Sequence, residues 1–137
     1  MLTENDVVDA VANHLRADGW RIESTSSTNE RGHDILATKD GVTLAIEAKG
    51  ETSSKPGSRR HGQAFNSGQA ISHVSRALYK AASVFSAGQH RAGIALPATD
   101  RHRKLTMEIG PALVALNVSV FLVHGDRTVS PLRHSAR

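Results

Sequence analysis

The residues best suited to chemistry lie in the segment Gly32-His33-Asp34-Ile35-Leu36-Ala37-Thr38-Lys39-Asp40-Gly41-Val42-Thr43-Leu44-Ala45-Ile46-Glu47-Ala48-Lys49-Gly50. Two carboxylates, Asp34 and Glu47, are separated by twelve residues, and Lys49 follows Glu47 after one more. Asp40-Gly41 is a strong signal for a two-residue hairpin turn, because both turn positions need positive φ. With that turn, Lys39 opposes Val42 and, further out, Asp34 opposes Glu47. Opposed residues point to the same face, with Cβ atoms about 5 Å apart. Alternation adds Lys49 to that face and turns Ala48 away. Ile35, Ala37, Val42, Leu44 and Ile46 form the other, core-facing side.

Opposed like charges destabilise a sheet. A divalent cation would offset that cost. Mg²⁺ takes oxygen ligands at about 2.1 Å and accepts only a few protein carboxylates. Such an ion can acidify a coordinated water and neutralise a phosphate oxygen. Lys49 can orient that water or stabilise charge developing on phosphorus. The plainer reading is that both carboxylates are solvated and Lys49 forms an ion pair with one of them.

The elements around this hairpin follow from periodicity. Val7, Val8, Val11 and Leu15 fall at helical spacing, predicting a helix from Thr3 to Ala17. Thr3 can cap it, with Asp6 at the capping-box position, and Gly19 ends it. Trp20 to Ser24 reads as a first strand, His33 to Thr38 as a second and Val42 to Lys49 as a third. Gly50 to Ser67 is a polar loop rich in Ser, Gly and Arg. A second helix spans Gly68 to Ala87, with Ile71, Val74, Leu78, Ala81 and Phe85 as its buried stripe. Gln69, His73, Arg76 and Lys80 make a polar stripe on another face. Arg91 to Pro97 is a strand. Thr99 or Asp100 caps a third helix reaching about Leu116, despite Gly110-Pro111 inside it. Val118 to Val123 is a last, wholly apolar strand, expected to be central. The order αβββαβαβ predicts an α/β fold with a mixed sheet flanked by helices. One domain is expected over residues 1–125, with 126–137 a loosely held tail.

Composition narrows the function. There are no cysteines, so any metal must sit on oxygen or imidazole ligands. Residues 1–50 carry nine acidic and five basic side chains, whereas residues 51–137 carry four acidic and twelve basic ones. A basic second half suggests a polyanionic partner such as nucleic acid. The acidic, helix-patterned N-terminus is not a signal peptide. No apolar run approaches the roughly 20 residues that cross a membrane. A cytoplasmic protein without membrane association is therefore expected. No histidine pair has HExxH spacing, and no Gly-rich phosphate loop is present. Aromatic residues make up 4% of the chain, which argues against single-strand binding by base stacking.

Asp34 followed by Glu47-Ala48-Lys49, with its Gly-x-Asp-Ile-x-Ala and Ile-Glu-Ala-Lys-Gly flanks, resembles the PD-(D/E)xK nuclease superfamily. The flanks are similar to its Mrr-type restriction and archaeal Holliday-junction-resolvase branches. The resemblance covers about residues 3–123 and implies a restriction-endonuclease-like core. It implies that Asp34 and Glu47 bind Mg²⁺ or Mn²⁺, that the Ala48 carbonyl adds a ligand, and that Lys49 assists the attacking water. It also implies an acid from the first helix, for which Asp9 is the candidate and Glu4 the runner-up. Gln69 matches the catalytic Gln or Lys often found on the helix after the motif.

The expected activity is a metal-dependent DNA endonuclease acting on double-stranded or branched DNA. Lys55, Arg59, Arg60 and His61 in the loop, with His73, Arg76 and Lys80 on the following helix, are candidate phosphate contacts. The plain alternative for the loop is a solvated charge run. His33 adjoins Asp34 and is otherwise incidental. Arg101-His102-Arg103-Lys104 opens a helix, where cations are unfavourable with the dipole; a solvated surface run is the alternative. Cutting both strands would call for a homodimer. Two other readings remain open: a non-catalytic DNA-binding module on the same fold, and an interaction protein whose basic half docks an acidic partner.

Overall fold

The computed structural model describes residues 1–26, 32–51 and 67–132. Helix α1 (Glu4–Ala17) begins with the expected capping box, in which the Thr3 hydroxyl accepts from Asp6 N–H and the Asp6 carboxylate accepts from Thr3 N–H. Its apolar stripe, Val7, Val8, Val11 and Leu15, is buried. Strands β1 (Arg21–Thr25), β2 (Ile35–Lys39) and β3 (Val42–Ala48) form an antiparallel meander. Asp40 and Gly41 take positive φ, 49° and 80°, as the two-residue turn requires. The β2–β3 register runs from Lys39↔Val42 to Ile35↔Ile46, as the turn dictates.

Helix α2 (Ser67–Ala87) then crosses over to β4 (Arg91–Pro97), parallel to β3. Helices α3 (Asp100–Glu108) and α4 (Gly110–Ala115) cross over to β5 (Ser119–Val123), parallel to β4. A short strand β6 (Val129–Pro131) pairs antiparallel to β5. The result is one six-stranded mixed sheet in the order β1-β2-β3-β4-β5-β6. One core joins α1 to Ile35, Ala37, Leu44, Ile46 and Ala48 on one face of the sheet. A second joins α2, α3 and α4 to Ala45, Ile94, Leu96 and Leu122 on the other. No described helix is long and apolar enough to cross a membrane.

Several details differ from the sequence reading, among them Val42, expected on the core face but 41% exposed beside the turn. Helix α2 buries Ala70, Val74, Ala77, Ala81 and Val84, whereas Ile71 and Phe85 are 48% and 49% exposed. Burying the smaller side chains lets the helix lie closer to the sheet, and close packing offsets the apolar area left outside. The long third helix is two: it stops at Ile109, and Pro111 opens α4 in its first turn, where a missing N–H costs nothing. The strand at 119–123 is interior but not central, because β6 covers its outer edge. The segment after 125 is not a loose tail over its described part: Asp126 caps the turn to Thr128, and Arg127 pairs with Asp6 at 3.1 Å.

Candidate active site

The turn places Asp34 one step before β2, level with Glu47 on β3. Asp34 Oδ2 accepts a 2.8 Å hydrogen bond from the Ala48 N–H. That bond fixes one carboxylate oxygen and leaves the other for a ligand. The Ala48 side chain is wholly buried among the α1-side core residues. Glu47 and Lys49 point to the opposite side, and Lys49 Nζ lies 3.3 Å from Glu47 Oε1. Both side chains are less than one-fifth exposed, at 17% and 18%. The solvated ion pair of the plainer reading is therefore not what forms; this pair is largely withdrawn from water. Lys49 N–H also donates to the Ala95 carbonyl at 3.0 Å, which carries the β3–β4 pairing past the end of β3 and steadies the Lys49 backbone.

The first-helix acid beside these groups is Glu4. The chain leaving Lys49 passes the N-terminus of α1: Glu51 N–H donates to the Leu2 carbonyl, and Leu2 N–H donates to the Glu51 carboxylate, each at 2.8 Å. Burial pushes the Glu4 carboxyl from its ordinary 4.5 up to about 7; the Asp34 and Glu47 charges push the same way and Lys49 opposes them. Burial likewise pushes Asp34 from 3.8 up to about 6, against the Ala48 N–H, which favours its charged form. Asp9 does not join them. It is exposed, and lines an open groove with Ala10, Asn13, His14, Arg127, Thr128 and Val129 toward β6, the far edge of the sheet. The helical repeat explains the difference, because five residues turn the side chain well away from Glu4.

The polar stripe of α2 faces the same region. Gln69, His73 and Lys80 are half-buried and Arg76 is exposed. The His73 imidazole is pushed from 6.5 down to about 4, mainly by burial and then by Lys49, His102 and Arg76. Lys80 lies near enough to Asp34 and His33 for its charge to bear on both. Lys55, Arg59, Arg60 and His61 fall outside the described residues. His102, hidden in a run of cations, is buried at 4% exposure. Its Nδ1 lies 2.6 Å from the Thr99 hydroxyl, which already accepts the His102 N–H. No apolar periodicity marks His102 or His90; only tertiary packing reveals them.

The donor set can be tested against a metal. Among the described residues, no set of three acidic or imidazole side chains is gathered tightly enough to hold an ion alone. Mg²⁺ does not need three, since it is commonly held by one or two carboxylates, with waters and substrate phosphate completing its shell. Buried carboxylates that resist ionisation are groups a cation would relieve. Asp34 and Glu47 are carboxylates of the kind such an ion takes, with Glu4 near enough to feel both charges and Lys49 as the local counter-charge.

A family model described as Mrr_cat, restriction endonuclease, matches residues 1–95. The matched span runs from α1 through most of β4, and so includes Glu4, Asp34, Glu47 and Lys49. No curated protein and no solved structure matches the chain.

Proposed function

The chain belongs to the Mrr_cat restriction endonuclease family, within the PD-(D/E)xK superfamily, and we propose that it is a divalent-metal-dependent endonuclease that hydrolyses DNA phosphodiester bonds. The observation that carries this reading is the Glu47–Lys49 pair set beside two half-buried carboxylates, Asp34 and Glu4, that resist ionisation. Mg²⁺ or Mn²⁺ bound there would neutralise the carboxylates, polarise the scissile phosphate and acidify water.

The protein's own groups have distinct tasks. Asp34, held through Ala48 N–H, presents its free oxygen in a fixed direction. Glu47 would share the ion with Asp34, and Lys49, beside it at 3.3 Å, is the ammonium that would orient the attacking water and stabilise negative charge on phosphorus. The Ala48 carbonyl is a further candidate ligand, and Gln69 a candidate for positioning water at the start of α2. Lys55, Arg59, Arg60 and His61, with Arg76 and Lys80, would hold flanking phosphates, and a homodimer would present two such sites to the two strands.

The experiment is incubation of the full chain with plasmid, linear and branched DNA plus Mg²⁺ or Mn²⁺. Metal-dependent cleavage that disappears in Asp34→Ala is expected. Cleavage that persists unchanged in Asp34→Ala would refute the assignment. DNA binding without cleavage in any metal would favour a non-catalytic DNA-binding module.

A further inference from the structure

Two imidazoles from separate segments meet on the Asp34 side of the site, with the Lys80 ammonium near enough for its charge to act on His33 and Asp34. His33 lies on the approach to β2, Lys80 on the C-terminal half of α2, and His90 in the turn before β4. The two imidazoles meet edge to face, with ring centroids 6.1 Å apart and planes at 77°. All three side chains are half-buried. The His90 Nδ1 is buried without a hydrogen-bond partner among the described residues. None of the three forms a salt bridge there either.

Buried polar nitrogens without acceptors are costly, and native folds leave few of them. What would satisfy this group is set by its charge. Two imidazoles alone could serve a metal, but the Lys80 ammonium beside them repels a cation. An ammonium with three donors and two imidazoles with an N–H each suit an anion with several acceptor oxygens. Burial lowers the His33 pKa, Lys80 and His90 push the same way and Glu47 opposes them, yet among the described residues no acid comes within salt-bridge distance of the cluster.

We infer that Lys80, His33 and His90 form a subsite for a phosphoryl group of nucleic acid, adjacent to the phosphate that is cut. The inference rests on the nuclease reading and deepens it. Asp34 feels the charges of Lys80 and of the Glu47–Lys49 pair alike, so a phosphate bound by Lys80 sets the strand's position near the carboxylates. The group bound is either an internal phosphodiester or a 5′-terminal phosphate, since both offer the same oxygens.

The test measures binding of the full chain, with Ca²⁺ replacing Mg²⁺, to a labelled duplex carrying either a 5′-phosphate or a 5′-hydroxyl. Lys80→Met and His90→Asn are each expected to weaken binding about tenfold, the scale of a lost charge-assisted hydrogen bond. Lys80→Met should also reduce the slope of log K against log salt by about one. Lys80→Arg, which keeps the charge, should bind as the wild type does, and separates loss of the contact from loss of the fold. Weakening on both duplexes supports an internal phosphate; weakening only on the phosphorylated duplex supports a terminal one. Wild-type affinity and slope in both variants, with the wild type cutting DNA, overturns the subsite and spares the nuclease reading. A wild type that neither binds nor cuts DNA overturns both.

Discussion

Gly50 lies so close to the start of α1 that a Cβ built on it would stand 2.5 Å from the Glu4 nitrogen and 2.6 Å from the Thr3 carbonyl carbon. Real Cβ atoms do not approach backbone so closely. The residue after Lys49 is therefore glycine for contact rather than for φ. Its bare Cα lets the end of the Glu-x-Lys strand slide under the first turn of the helix. The two Leu2–Glu51 hydrogen bonds lock that approach. This crossing is what carries Glu4 to the carboxylates.

Gly50→Ala is accordingly expected to destabilise the protein by about 1–3 kcal/mol, the usual cost of overpacking, because backbone rather than a flexible side chain must yield. Thermal unfolding should show a loss of roughly 5–10 °C. Cleavage should fall further than stability alone explains, since Glu4 moves with the helix start. A Gly50→Ala protein with unaltered Tm would contradict the close approach.

Glu4 and Asp9 should separate cleanly. In the fold Glu4 keeps its proton up to about pH 7, whereas the unfolded chain releases it near 4.5. The folded state thus holds the extra proton, and stability falls as pH rises through that window. Glu4→Gln removes this slope, so its Tm advantage over wild type should grow from pH 5 to pH 8. Its metal-dependent cleavage should drop about 10–100-fold, the range seen when a group beside metal ligands is lost. Asp9→Asn should leave both the pH profile and cleavage as in the wild type. A loss of activity in Asp9→Asn, with Glu4→Gln fully active, would reverse the assignment.

These contacts explain why part of the site is legible in the sequence and part is not. Asp34, Glu47 and Lys49 can be read because a two-residue turn converts spacing into register, and register into a shared face. The capping box at Thr3 and the stripe of α1 are local as well. The choice of Glu4 over Asp9 depends on where the helix start abuts another segment, and periodicity carries no such information. The rotated stripe of α2 fails for a related reason. Ile71 and Phe85 have the right spacing, but the Ala-rich side fits the sheet more closely. His102, among Arg101, Arg103 and Lys104, has neighbours that all point to solvent and give no hint of its burial.

Asp34 should show distinct effects of charge and of hydrogen bonding. Asp34→Asn keeps an acceptor for the Ala48 N–H but removes the charge a cation needs. Cleavage should fall on the order of 10³-fold, the scale of losing several kcal/mol of metal-assisted stabilisation. Above pH 6 its Tm should equal or exceed the wild type's, because the buried carboxylate no longer has to ionise. Asp34→Ala should be just as inactive, and about 1–3 kcal/mol less stable than Asp34→Asn, since it strands the Ala48 N–H. Equal stability of the two variants would mean that the 2.8 Å bond contributes nothing.

The imidazoles of half-buried His73 and buried His102 act on stability in the opposite direction to the carboxylates. His73 is held neutral down to about pH 4, and burial also lowers His102, whereas an imidazole in the unfolded chain takes its proton near 6.5. Between those values the unfolded state binds more protons, so stability rises with pH and is lost as pH falls from 6.5 toward 4. Glu4 and Asp34 lose stability in the reverse direction across an overlapping range. The wild-type Tm should therefore vary only shallowly from pH 4.5 to 7. Removing one member of either set should tip the balance: in His73→Gln, Tm should fall as pH rises through that range. In Glu4→Gln it should instead climb. Parallel Tm curves for wild type and both variants would show that these groups are as solvated in the fold as in the unfolded chain, and the buried site would have to be abandoned.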